Sequence, residues 1–268
     1  MPPRLHQRVW EYFDNAGPLI DHPWPIHYRH LDEDARVAHL GELGVVRFGA
    51  LSYPHKPGMA VSLNAWAAEF AARNPGALRS ATFFAEPGAE GYVGEAVASG
   101  AQVVKAHVQV GGYDPRDPLL TGVWGALADA GVPVVVHCGS GPRPGRYTGP
   151  EIFAEVLAAH PRLTAVIAHL GAPEYAAFLD LADRFERLHL DTTMACTDFF
   201  AELGAPFPAG LVSRLADHGD RIVLGSDFPN IPYPYAHQLA ALARLGLGDR
   251  WLRSVCWDNP RRVLRLGA

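Results

Sequence analysis

Several short apolar runs in this 268-residue sequence end in side chains that can move protons or bind cations. Gln102-Val-Val-Lys-Ala-His107 carries Lys105 and His107, the run from Val132 closes on His137, the run from Leu163 closes on His169, and the run from Ile222 reaches Asp227. Glu86 follows Ala81–Ala85, and Asp191 closes Leu188–Asp191. Taken singly, a histidine at the end of a strand is more often a hydrogen-bonded structural residue, and an aspartate more often a cap. Asp191, followed by Thr192 and Thr193, fits that structural role best, and Glu86 before Pro87-Gly88 fits a solvated turn. His137, His169 and Asp227 together are a different matter: two imidazoles and a carboxylate in one pocket suit a borderline divalent metal such as zinc.

Residues so far apart in sequence can meet only if the elements carrying them are parallel. After a helix expected around Gln7–Phe13, short β-rich runs alternate with amphipathic stretches of helical length, the pattern of repeated βα units. Strands are expected near Pro18–Asp21, Val45–Leu51, Ala81–Ala85, Gln102–His107, Val132–His137, Leu163–His169, Leu188–Asp191 and Ile222–Ser226. Eight such units over residues 1–268 predict a single-domain (β/α)8 TIM barrel, in which all strand C-termini open on one mouth. Val132-Pro-Val-Val-Val-His137 is apolar on both faces, as a buried parallel strand should be. Leu119, Leu120, Val123, Trp124 and Leu127 recur at helical spacing, as do Ile152, Phe153, Val156 and Leu157 between Pro150 and Pro161, and Tyr175, Phe178, Leu179, Ala182 and Phe185. The looser stretches Tyr53–Gly58 and Gly139–Gly149 read as loops of the mouth.

Composition narrows the class. Apolar residues make up 49% and charged residues 19% of the chain, enough for a large core. The net charge of −5, with scattered basic residues, gives no footprint for nucleic acid or anionic lipid, so a small-molecule substrate is expected. The start lacks a signal-like apolar stretch and no run approaches a membrane span, which predicts a cytoplasmic protein. Cys138, Cys196 and Cys256 have no C-x-x-C spacing and read as reduced thiols; Cys138, adjacent to His137, should point away from the mouth. Gly139-Ser-Gly141 lacks the nucleophile elbow, and the following glycines lack phosphate-loop or dinucleotide spacing.

The motifs Gln102-Val-Val-Lys-Ala-His107, Val134-Val-Val-His-Cys-Gly139, Val166-Ile-Ala-His-Leu-Gly171 and Leu224-Gly-Ser-Asp-Phe-Pro229 resemble those on the fourth, fifth, sixth and eighth strands of the amidohydrolase-related family, which includes the aminocarboxymuconate-semialdehyde decarboxylase-like enzymes. The resemblance extends from Gln102 to Asp258-Asn-Pro260. It implies a TIM barrel in which His137 and Asp227 bind a divalent metal, zinc or alternatively manganese, while His169 is catalytic or a further ligand.

The first strand departs from the family's D-x-H-x-H. The sequence there reads Leu19-Ile-Asp-His-Pro-Trp-Pro-Ile-His27, so Pro23 and Pro25 occupy the ligand positions. A one-residue slip would make His22 the first metal ligand with Trp24 in place of the second. His27 or His30 reaching back from the loop is the weaker alternative.

Three functions follow. The first is hydrolysis of a small amide, cyclic amide, lactone or ester, with Asp227 shuttling the proton and His169 meeting the oxyanion or orienting water. The second is non-oxidative decarboxylation of an unsaturated or aromatic acid. The third is a degenerate barrel with a binding role. Lys105 and His107, on one strand face, are expected to bind substrate, and Arg143, with Arg146, to anchor an anionic group. Trp10, Tyr12 and Phe13 would cover either the barrel bottom or a partner subunit, leaving a homo-oligomer open.

Overall fold

The computed structural model describes residues 1–15 and 24–267. The expected first strand, Pro18–Asp21, and His22 lie outside the described residues. Helix α1 (Pro3–Asn15) comes first, then α2 (Glu33–Glu42), β1 (Phe48–Gly49), α3 (Ala60–Arg73), β2 (Ala77–Leu78), β3 (Ser80–Thr82) and α4 (Ala89–Ala98). They are followed by β4 (Val103–His107), α5 (Thr121–Ala130), β5 (Val134–His137), α6 (Pro150–Ala159), β6 (Ala165–Ile167), α7 (Tyr175–Arg184), β7 (Leu188–Asp191) and α8 (Asp198–Glu202). The C-terminal part holds α9 (Val212–Asp217), β8 (Ile222–Val223), α10 (Tyr235–Ala243), α11 (Gly248–Arg253) and α12 (Asn259–Val263).

Among the described residues every strand pairing is parallel, and strand order follows chain order from β3 to β8, with β1 paired to β2. Only Arg79 separates β2 from β3, so one run of chain pairs on one side with β1 and on the other with β4. Successive parallel strands joined by helices form the wall of a TIM barrel. Alternation along each strand then sorts the side chains. Val134 and Val136 of β5 and Leu188 and Leu190 of β7 pack outward into the core shared with the helices. Val135 packs with Val166, Val223 and Val263 in a separate inner cluster. Lys105, His107, Val135, His137, His189 and Asp191 share that inward phase.

The helices form where the stripes predict. Val123, Trp124 and Leu127 are the buried face of α5; Phe153, Val156 and Leu157 that of α6, which starts at Pro150; Tyr175, Phe178, Leu179 and Ala182 that of α7. Each of the valine, leucine and phenylalanine side chains among them contributes about 1.5–3 kcal/mol by leaving water. The strands are shorter than their apolar runs. The run from Val45 pairs only at Phe48–Gly49, and that from Leu163 ends at Ile167, where the chain turns. The run from Ile222 pairs only through Val223, because the Leu224 amide bonds instead to the Val255 carbonyl.

Candidate active site

Register brings the first pair of imidazoles together. His107 of β4 lies directly beside His137 of β5, and their rings stack with centroids 4.1 Å apart and planes 12° from parallel. The Val110 amide donates to His107 Nδ1 at 3.3 Å. His137 Nε2–H donates to the Gly141 carbonyl at 3.0 Å, and since a carbonyl can only accept, the proton is on Nε2 and the Nδ1 lone pair is unencumbered. Burial, then the neighbouring histidines and Lys105, hold both imidazoles well below their ordinary range, so both are neutral near pH 7.

His169 arrives by a turn instead of a strand. It and Leu170 take left-handed backbone conformations, with φ of 58° and 54°, which carry a cost for residues with a side chain. Asp191 Oδ1 offsets it by accepting the amides of His169 (3.0 Å) and Thr193 (2.9 Å). His169 Nδ1–H then donates to the Thr193 carbonyl at 2.9 Å, which leaves Nε2 toward the cavity, 3.8 Å from Asp227 Oδ2. The His137 and His169 ring centroids are 4.9 Å apart. Asp227 is itself left-handed, with φ 54°, and its side chain is 48% exposed at the mouth. The motif glycines follow from close approach. A Cβ on Gly225 would stand 2.0 Å from Thr193 Oγ1, and one on Gly139 would stand 2.6 Å from the Ala172 carbonyl.

Lys105, one layer deeper, is buried, and burial lowers its pKa while Asp227 and Asp191 pull it back up. Tyr53, which the sequence reading placed in a mouth loop without singling it out, lies with its ring 4.4 Å from that of His107. Burial, and then the Asp227 carboxylate, push its phenol upward. An aromatic residue just after a barrel strand was the available signal. Arg143 also lines the cavity, and its carbonyl accepts from Gln109 Nε2.

Other residues resolve differently. Glu86 ties two loops together, accepting the Gly58 amide at 2.6 Å and the Tyr92 hydroxyl at 3.1 Å. Cys138 points into the buried core, which pushes its thiol upward. His27 does not reach the cavity: its amide bonds to the Ile231 carbonyl, its ring packs on Tyr28, and it is exposed, as is His30. With Tyr28 buried beside it, the chain turns His27 outward. Trp24 does line the cavity, its Nε1–H donating to the Asn230 carbonyl at 2.9 Å. Helix α1 does not cover the barrel bottom. Its His6 and Trp10 bond to Asn230, on the loop that carries Asp227, so it lies at the mouth.

The donor chemistry fits a divalent cation. Each of His137 and His169 has one N–H held by a backbone carbonyl, a bond that orients the ring of a metal-binding imidazole and fixes which nitrogen it offers, and Asp227 adds a carboxylate. Among the described residues no group of three His, Cys, Asp or Glu side chains stands close enough together to complete a shell alone.

A parallel barrel with two carbonyl-anchored imidazoles and an aspartate at its mouth defines the class. The chain matches the Amidohydrolase family over residues 6–266 and belongs to that family of enzymes. The sequence matches no curated protein. Solved structures share the fold: an uncharacterized TIM-barrel protein from Bordetella bronchiseptica (19% identity, TM-score 0.78, 98% of this chain and 92% of that one), and a 5-carboxyvanillate decarboxylase from Novosphingobium aromaticivorans complexed with manganese (13%, 0.67, 97% and 87%). A third is a probable 2-pyrone-4,6-dicarboxylic acid hydrolase from Acinetobacter baumannii with citric acid bound (14%, 0.63, 91% and 94%). No helix among the described residues is long and apolar enough to cross a membrane.

Proposed function

We propose that this chain is a one-domain, metal-dependent hydrolase of a small lactone, cyclic amide, amide or ester. The reading is carried by the His169–Asp227 pair, 3.8 Å apart, beside a His137 whose Nδ1 is unprotonated. His137 and Asp227 would hold the cation, zinc or manganese, with His22, outside the described residues, as a further ligand. A divalent cation in such a site supplies Lewis-acid polarisation of a substrate carbonyl and lowers the pKa of water toward ~7.

The protein's own groups do the rest. Asp227, half exposed, accepts the proton of the attacking water and returns it to the leaving group. His169, its Nδ1–H held by the Thr193 carbonyl, turns Nε2 to the cavity, where it would orient that water or meet the developing oxyanion. Lys105 and His107, with Tyr53 against the latter, form the floor on which a substrate carboxylate binds, and Arg143 extends that positive wall. The reduced Cys138, Cys196 and Cys256 suit a cytoplasmic setting.

The test is metal content by elemental analysis of protein purified without chelator, for wild type and for His137→Ala, Asp227→Ala and His22→Ala. Near-stoichiometric metal in wild type, lost in the variants, is the expected result; a wild type that takes up no added zinc or manganese would overturn the reading. Decarboxylation is the second reading, favoured by the buried Lys105 side chain at the cavity floor and by the likeness to a manganese-containing decarboxylase. Ring opening of 2-pyrone-4,6-dicarboxylate against carbon dioxide release from 5-carboxyvanillate separates the two.

A further inference from the structure

The loop after β8 carries Asp227, and three residues on it carries Asn230, which is bonded through its amide, its carbonyl and its side-chain oxygen. The Asn230 amide donates to the Asp227 carbonyl at 2.7 Å, closing the turn in which Asp227 is left-handed. Asn230 Oδ1 accepts from Trp10 Nε1 at 2.7 Å and from His6 Nε2 at 2.9 Å, both on α1. Its carbonyl accepts from Trp24 Nε1. The helix side of this junction is itself fixed. Arg36 donates to His6 Nδ1 at 2.7 Å, so His6 is neutral with its single proton on Nε2, aimed at Asn230. The Arg36 guanidinium also lies 5.1 Å over the Trp10 ring, and Phe13 stacks on Trp24 at 4.9 Å.

We propose that Asn230 is a positioning residue for Asp227, and that α1, through His6 and Trp10, is the clamp that holds it. A left-handed aspartate costs backbone energy and persists only where the surroundings over-determine it. Here the surroundings are an asparagine whose side chain is anchored by a helix more than two hundred residues away in sequence. The N-terminal helix, which also lines the cavity, is thus part of the active site through its hold on this loop. The inference rests on the proposed role of Asp227 for its chemical consequence, but not for its mechanical one.

The experiment measures hydrogen–deuterium exchange of the 224–231 segment, and manganese affinity by titration with the metal alone, on the full chain. The variants are Asn230→Ala, Trp10→Phe, which removes the N–H but keeps an aromatic ring, and Asn230→Asp, which keeps the acceptor. Asn230→Ala and Trp10→Phe should speed exchange in 224–231 and weaken manganese binding about ten- to a hundredfold, the scale on which small misplacement is felt; Asn230→Asp should restore both. Unchanged exchange in 224–231 overturns the proposal, as does faster exchange with unaltered manganese affinity. If wild type binds no manganese or zinc, the metal role of Asp227 fails. The clamp is then judged by exchange alone: faster exchange rescued by Asn230→Asp supports it, and unchanged exchange overturns it.

Discussion

His107 and His137 face each other across adjacent strands with rings stacked 4.1 Å apart, so one imidazole is the wall against which the other is held. If His107 acts on substrate and on this stack while His137 acts on the metal, the two should separate under mutation. His107→Phe keeps a stacking ring and should keep the metal, while KM for a carboxylate-bearing substrate rises about tenfold, equivalent to about 1.4 kcal/mol. Elemental analysis with steady-state kinetics checks it, and loss of metal would place His107 among the ligands.

Lys105 is a buried amine at the cavity floor, and desolvation pulls its pKa down while Asp227 and Asp191 pull it back up. Lys105→Met removes the charge at similar length. The melting temperature should not fall, because a buried ion is costly to keep, whereas kcat/KM for an anionic substrate should drop about a hundredfold. Equal loss on a neutral ester would contradict the assignment to carboxylate binding.

Asp191 holds the His169 turn through a single oxygen that accepts two amides. Asp191→Ala leaves both donors unsatisfied and should cost about 2–4 kcal/mol, at 1–3 per group and non-additively. Asp191→Asn preserves an acceptor and should cost less than half of that. Urea denaturation of the three proteins decides between this and a turn that stands without the carboxylate.

Gly225 has no room for a side chain, since its Cβ would meet Thr193 Oγ1 at 2.0 Å and Asp191 Oδ1 at 2.8 Å. Gly225→Ala should destabilise by about 1–3 kcal/mol, the usual range of overpacking, and should lower metal content by displacing the segment that leads to Asp227. A variant with wild-type stability and metal would show that the β8 end relaxes freely.

Acid should loosen the fold through two histidines away from the cavity floor. Burial first, then Arg36 against the Asn230 hydrogen bond, holds His6 down to about 4, and burial with Arg262 does the same for His189, from an ordinary 6.5. The unfolded chain binds these protons at higher pH than the folded one. Their contribution is therefore complete above about 6.5 and lost as pH falls toward 4. Urea midpoints should decline from pH 7 to pH 5, less steeply in His189→Leu; a flat profile would refute the linkage.

The barrel and most of its mouth were legible in the residues. Apolar runs ending in His137 and Asp191, and the amphipathic stripes of α5, α6 and α7, follow from alternation and helical periodicity, which are local properties that survive in any fold built from them. Cys138 pointing away from His137 followed from the same alternation. Where the strands stop did not, because pairing ends where a neighbouring backbone bond competes, as at Leu224 with Val255. Nor could residue types reveal that His169 sits in a left-handed turn, that the Gly141 and Thr193 carbonyls set the two imidazole tautomers, or that Tyr53 covers His107. The sequence determined which side chains face the barrel interior, since that depends on spacing along one strand. Tertiary structure alone decided which nitrogen each histidine presents, and that α1 closes on Asn230, since both depend on backbone groups brought close from distant parts of the chain.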